Sequence, residues 1–222
     1  MKSGYFITGT DTGVGKTLIA SALVHQFVQN GHKAVGMKPV AAGCEMVDGK
    51  LISQDVATLI KASNVNAPLE LINPYAFAGA YAPHIAAQQA GVEIELATIQ
   101  KAYQALAEHA DVVIVEGVGG FCVPLSNNLN SADLAVHLNI PIILVVGLRL
   151  GCLNHALLTV EAIEARGLRL AGWVANTIDP AILMFDDNMQ SLKQRIKAPC
   201  LGVVSWQKDA NFERVANYIS IK

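Results

Sequence analysis

The sequence contains no Cys-x-x-Cys pair: Cys44, Cys122, Cys152 and Cys200 stand far apart. That spacing carries no signature of a metal cluster or a disulfide framework, and reduced thiols in a cytoplasmic protein are the expectation. Charge is also scarce. Only 15% of residues are charged, the formal net charge is −2, and there is no basic run. Nucleic acid is therefore not an expected partner, because binding its phosphate backbone needs a positive face. No apolar run reaches the roughly 20 residues that span a bilayer, so no membrane partner is expected either. The longest, residues 140–148, contains Pro141 and Gly147 and reads as a buried strand. The first apolar stretch ends at once in Gly9 and Asp11, unlike a signal peptide. Internal repeats, low-complexity tracts and linkers are missing as well.

Core material is plentiful. The chain has 222 residues, 52% of them hydrophobic, and a mean hydropathy of +0.38. One large α/β domain over residues 1–222 is expected. Strand-like and helix-like segments alternate to the end, which predicts a mostly parallel sheet with helices on both faces. Strands are expected at residues 5–8, 34–40, 111–116, 141–147, 169–174 and 199–204. Helices are expected at 56–62, from Leu96 through Leu106, at 132–138, at 156–165, through Met189, Leu192 and Ile196, and finally through Phe212, Val215 and Ile219. Residues 43–49 read as loop and 73–83 as irregular. The helix at 156–165 is apolar on nearly all sides and calls for burial on two faces; a subunit interface would supply the second.

The most informative stretch is Gly9-Thr10-Asp11-Thr12-Gly13-Val14-Gly15-Lys16-Thr17. It follows the apolar Tyr5-Phe6-Ile7-Thr8 and precedes Leu18, Ala22, Leu23 and Phe27 at helical spacing. Strand, glycine-rich turn, Gly-Lys-Thr and helix is the order of a phosphate-binding loop. Glycines let backbone N–H groups curl around an anion, and the helix N-terminus adds the positive end of its dipole. Lys16 supplies a charge for the terminal phosphates, and the Thr17 hydroxyl is a ligand for Mg²⁺. Five residues separate Gly9 from Gly15 instead of the usual four, so the loop is a variant.

Ligands of open α/β sheets sit outside the carboxyl ends of the strands. Lys16, Lys38, Glu116 and Asn176 all fall at or just past such ends. Asp55 and Glu116 are the candidate Mg²⁺ carboxylates, completing a shell with Thr17 and nucleotide phosphates. Asp55 alternatively reads as a plain helix cap. Lys38 reads either as a cation facing developing negative charge or as a lysine snorkelling at the sheet edge. Gly117 to Gly120 is equally a second anion-contacting turn or a tight βα turn. His84 and His155 read as helix-start residues, and Trp173 and Trp206 as core or pocket walls.

Taken together, these segments resemble the dethiobiotin synthase family nearly end to end. The resemblance is carried by Tyr5 through Thr12 with Gly15-Lys16-Thr17, by Lys38-Pro39-Val40, Asn73-Pro74-Tyr75 and Pro83-His84-Ile85. It continues in Val115-Glu116-Gly117 with Gly119-Gly120, Leu150 through Ala156, and Ala171 through Asn176. The five-residue gap in the loop is this family's own pattern. The resemblance implies a phosphate-binding-loop NTPase-like fold and an ATP- and Mg²⁺-dependent cyclo-ligase. Such an enzyme inserts CO₂ between the two amines of 7,8-diaminopelargonate, the penultimate step of biotin synthesis. It implies ATP contacts at Gly13, Val14, Gly15, Lys16, Thr17, Leu18, Asp55, Glu116, Gly117, Val118, Gly119, Asn176, Ser205, Trp206 and Gln207. Asn176 would read adenine. Catalytic roles fall to Lys16 and Lys38, and metal binding to Thr17, Asp55 and Glu116. Substrate contacts fall to Thr12, Lys38, Ala42 and, across the interface of a homodimer, Cys152, Leu153 and Asn154. Ala42 stands where the family commonly has Ser, leaving only its backbone to contribute. Near Asn211 the family's nucleotide contacts do not carry over.

Two other readings share these motifs. Another nucleotide-dependent amidoligase or carboxylase of the same fold would lack Lys38-Pro39-Val40 and the Asn154-His155 turn. A partitioning or metallochaperone-like ATPase switch would carry a second lysine at the start of the loop, where Gly9-Thr10 stands here.

Overall fold

The computed structural model describes residues 3–221. The first part of the chain forms β1 (Ser3–Gly9), α1 (Lys16–Gln29), β2 (Ala34–Met37), β3 (Val40–Ala42), β4 (Glu45–Val47), β5 (Lys50–Ile52), α2 (Gln54–Ala62), α3 (Leu69–Ile72), β6 (Tyr75–Phe77), α4 (Pro83–Ala90) and α5 (Leu96–His109). The rest forms β7 (Val112–Glu116), α6 (Ser131–Leu138), β8 (Ile142–Leu148), α7 (Cys152–Glu164), β9 (Leu170–Thr177), α8 (Phe185–Arg195), β10 (Cys200–Val204) and α9 (Phe212–Val215).

Six strands make one sheet in the order β10-β9-β8-β1-β7-β2, every neighbouring pair parallel. Parallel strands covered on both faces read as continuous apolar runs. All residues of β7 and of β8 are buried accordingly. The period-two alternation of strand side chains sorts them between the faces. Ile7, Ile114 and Val145 pack with Ile19 and Leu23 of α1 and Val215 of α9. Phe6, Val113 and Val115 pack with Ile99 and Leu106 of α5 and Leu134 of α6. Leu144, Val146 and Trp173 pack with Val160 of α7 and Met189 and Leu192 of α8.

β1 lies at the centre, between β7 and β8. The loop after it therefore opens at the point where the sheet's connections run off in both directions, the usual seat of a ligand. α1 begins there with no side-chain cap and no acidic residue in its first turn. A missing cap costs about 1 kcal/mol. Ile19, Leu23 and Val24, all fully buried, each contribute on the order of 1.5–3 kcal/mol. Packing thus holds α1 and leaves its first N–H groups for an anion. Gly15 enters the helix at φ 92°, a conformation that glycine adopts without strain. Val14, 1% exposed, plugs the underside of the loop. A Cβ on Gly9 or on Gly147 would lie 2.6 or 2.7 Å from its methyls, so both positions need glycine for close approach.

The strands agree with the sequence reading within a few residues, although β9 runs on to Thr177 and the strand expected over 34–40 is divided: β2 stops at Met37, before Pro39, and Val40 opens β3 of a separate two-stranded sheet. Three differences have physical causes. Residues 45–52, partly read as loop, form an antiparallel hairpin, β4 with β5. Its turn residues Asp48 and Gly49 have φ 49° and 77°, the backbone that an Asp-Gly hairpin turn requires. Residues 75–77, read as irregular, pair in parallel with β3. The last helix stops at Val215 and tightens into a 3₁₀ turn, Ala216–Tyr218. Ile219 lies beyond that turn and bridges to Gly202.

Candidate active site

Lys38 sits just past β2, 3% exposed. Its Nζ lies 2.6 Å from Glu116 Oε1 and 2.9 Å from Asp55 Oδ2, and it donates to the Gly117 carbonyl at 3.1 Å. The snorkelling alternative is thus overturned: the ammonium points inward, to two acids. Its backbone is held too, because buried Asn73 donates its amide to the Lys38 and Tyr75 carbonyls at 2.6 and 3.0 Å. In sequence Asn73 stands out only as part of the Asn73-Pro74-Tyr75 segment, and no spacing announces this supporting role.

Glu116 ends β7 and is 1% exposed. Its Oε1 accepts the Thr17 hydroxyl at 2.8 Å, and its Oε2 is buried with no hydrogen-bond partner. Asp55 lies in the first turn of α2, but the cap is Ser53, whose hydroxyl accepts the Val56 N–H. Asp55 is therefore not the helix cap and pairs with Lys38 instead. Burial pushes the Glu116 carboxyl up, against the pull of Lys38. Burial acts the same way on Asp55, but Lys38, the Thr17 hydroxyl and Lys16 together outweigh it and the net shift is downward. For Lys38, burial disfavours the ammonium, while Glu116 and Asp55 more than offset it and raise the pKa. Lys16 has no such partner. Burial, then repulsion from Lys38, lowers its pKa from 10.5 to about 8. Its Nζ donates to the Asp11 carbonyl at 3.1 Å.

These groups border one cleft of about 500 Å³. Thr12, Gly13, Gly15, Lys16, Thr17, Lys38, Ala42, Asp55, Glu116, Val118 and Gly119 line it, joined by Ala41, Ala80, Tyr81, Pro83 and Val123. Gly13 also borders a second cavity of about 240 Å³, with Leu18, Asn176, Ser205, Trp206 and Gln207. Val14, buried beneath the loop, and Gly117, whose carbonyl accepts from Lys38, line neither cavity. Cys152, Leu153 and Asn154, at the start of α7, lie apart from both cavities. His84 is in the first turn of α4 as read, His155 stands inside α7, and Trp173 is core.

Asn176 has a role the sequence did not disclose. Its amide donates to the Val14 carbonyl at 2.8 Å, tying the end of β9 to the phosphate-binding loop. Gly15 carries no Cβ at the point where one would lie 2.3 Å from that amide. Asn176→Ala should weaken nucleotide affinity roughly three- to tenfold through this one hydrogen bond. The same loss should appear with inorganic tripolyphosphate, which has no base. Unchanged tripolyphosphate affinity in a binding titration would limit Asn176 to the base side.

The oxygen set fits a divalent cation. Thr17, Asp55 and Glu116 supply hard donors at the helix start, and the orphaned Glu116 Oε2 has a lone pair facing no protein donor. Among the described residues no cluster of three His, Cys, Asp or Glu forms an all-protein metal cage.

A parallel sheet with this loop at its centre defines the phosphate-binding-loop NTPase fold. Solved structures agree: the MinD cell division protein of Aquifex aeolicus superposes with a TM-score of 0.57 at 14% identity, covering 96% of this chain and 87% of that one. A ParA family ATPase of Chlorobium tepidum gives 0.58 at 16% identity, covering 97% and 92%. At such identities the likeness concerns the fold alone. The family model described as an AAA domain matches residues 3–214. The ATP-dependent dethiobiotin synthetase of Aromatoleum aromaticum is 54% identical over 96% of this chain and 94% of its own length. That of Nitrosospira multiformis is 49% identical over 100% and 96%. The chain belongs to the dethiobiotin synthetase family.

Proposed function

We propose that this protein closes the ureido ring of dethiobiotin on 7,8-diaminopelargonate, using CO₂ and ATP with Mg²⁺, as a cytoplasmic homodimer. Family membership supports the reaction. The buried Lys38, set between two acids on the wall that also carries Lys16 and the loop, is the observation that carries the mechanism.

One amine adds to CO₂, forming a carbamate and losing a proton to solvent. A carbamate oxygen then attacks the γ-phosphorus of ATP, and ADP leaves. The second amine attacks the carbonyl carbon of this carbamic–phosphoric anhydride. The C–O bond breaks, phosphate departs with that oxygen, the attacking amine gives up a proton to the departing phosphate or solvent, and the ring is closed. Phosphoryl transfer is mostly positioning and charge stabilisation. Lys16 and the loop N–H groups hold the phosphates, and Lys38 offers its ammonium to the carbamate and to the charge that builds in transfer. Thr17, Asp55 and Glu116 would hold Mg²⁺, which neutralises phosphate charge when bound. The second cavity takes the adenine, against Asn176, Trp206 and Gln207. Enclosing both amines beside one carbon makes cyclisation effectively unimolecular.

The dimer rests on exposed apolar surface beside the start of α7. Leu150 is 97% exposed and Leu158 56%, and the α7 turn lies outside its own chain's cleft. A second copy covering this face would bring Cys152, Leu153 and Asn154 to the neighbouring site, where the N-terminus of α7 suits a substrate carboxylate. Cytoplasmic placement accords with the four free cysteines. The test is ADP release, expected only when the diamine and bicarbonate are both present. Equal ATP turnover without the diamine would contradict the assignment.

A further inference from the structure

A carboxylate stands inside the loop that must hold a triphosphate. Asp11 directly precedes Thr12, which lines the cleft, and an unpaired acid there would repel the ligand the loop is shaped for. Both of its oxygens are engaged. Oδ1 accepts the Thr12 N–H at 2.7 Å, and Oδ2 is ion-paired with Arg149 Nη2. The Asp11 carbonyl meanwhile accepts Lys16 Nζ. Arg149 follows β8 directly, on the turn that leads into α7, so its guanidinium reaches the loop beside the backbone contacts that β8 already makes with Thr10. The Thr12 N–H first, then Arg149 and the nearby His155, together hold the Asp11 carboxyl below its ordinary range, against the opposing effect of burial.

We propose that Arg149 is a positioning residue of the phosphate-binding loop: it neutralises and orients the Asp11 carboxylate so that the Thr12–Lys16 segment receives an anionic triphosphate. This rests on the nucleotide-binding part of the function proposed above. The ion pair is half exposed, with side chains 40% and 44% accessible, so it adds little to stability. Its effect falls on ligand charge instead. Removing the arginine leaves a bare acid beside the phosphates. Removing the acid as well takes that repulsion away.

The experiment is calorimetric titration of Mg·ATP, without diamine, into wild type, Arg149→Ala, Arg149→Lys, Asp11→Asn and the double variant Asp11→Asn/Arg149→Ala, with melting temperatures alongside. Arg149→Ala should weaken binding about tenfold, and less at high salt, where the repulsion is screened. Arg149→Lys should restore most of it. The double variant should return to within about threefold of wild type, because asparagine still accepts the Thr12 N–H and no longer repels phosphate. All melting temperatures should stay close together. Unchanged affinity in Arg149→Ala overturns the proposal. So does a double variant as weak as Arg149→Ala, which would place the guanidinium on the nucleotide itself. If wild type fails to bind Mg·ATP, the nucleotide-binding reading falls and the proposal falls with it; if wild type binds and ring closure fails, only the reaction assignment is lost.

Discussion

Lys38→Met is expected to lose both catalysis and stability. Turnover should fall about 10³-fold, the scale for removing a preorganised charge from a phosphoryl or acyl transition state. The variant also strands Glu116, buried and 1% exposed, with no cation beside it. Breaking one side of a buried pair costs about 3 kcal/mol or more, which for a chain of this length lowers the melting temperature by roughly 6–12 °C. The loss has a pH signature. Burial already pushes Glu116 above the ordinary range of a glutamate carboxyl, so in the variant its folded pKa lies above its unfolded one. The cost is then fully present above that folded pKa and is relieved as pH falls through it. Thermal melts at several pH values check this. A melting temperature equal to wild type at neutral pH would mean that Lys38 and Glu116 are not paired in solution.

Lys16→Met is expected to separate the two losses. Nucleotide affinity and turnover should each fall by at least about 10²-fold, because the charge that meets the terminal phosphates is gone. Stability should hold or rise. Lys16 is held at a pKa of about 8 against an ordinary 10.5, so at neutral pH the free protein carries this ammonium at a cost on the order of 3 kcal/mol. The sign is fixed by the shift: the folded pKa is the lower one, so the cost is complete below pH 8 and relieved as pH rises toward 10.5. Methionine keeps the stem and removes the charge. Melting curves of the free protein, compared at neutral pH and near pH 9.5, should show the variant's advantage at the lower pH and its reduction by about half or more at the higher. A destabilised Lys16→Met would mean that the ammonium is satisfied in the free protein. The contrast between the two lysines separates the residue that organises the site from the one that waits for ligand.

The sheet was legible because buried parallel strands announce themselves: residues 111–116 and 141–147 are apolar runs that end in a polar or glycine residue. The loop was legible because anion binding needs glycines at fixed offsets before a helix. Pairing was less visible. That Lys38 turns inward to Glu116 depends on β2 and β7 lying side by side, and sequence spacing does not record which strands are neighbours. The same holds for Arg149 and Asp11, which meet only because β8 lies beside β1. Asn176 reads in sequence as a base contact, yet its bond to the Val14 carbonyl needs the loop's path over β9. The hairpin around Asp48-Gly49 reads in sequence only as loop, because its flanks, Glu45–Val47 and Lys50–Ile52, are too short and too exposed to show a strand pattern.

The central claim is that a carbamate oxygen takes the γ-phosphoryl group before the ring closes, so that one oxygen of CO₂ must leave in phosphate. It is tested most directly by a single turnover with diaminopelargonate, ATP and freshly dissolved ¹⁸O-bicarbonate in unlabelled water, quenched before the label exchanges. Mass spectrometry of the released phosphate should show one ¹⁸O in each molecule. Phosphate free of label, with the ring product formed, would contradict the account.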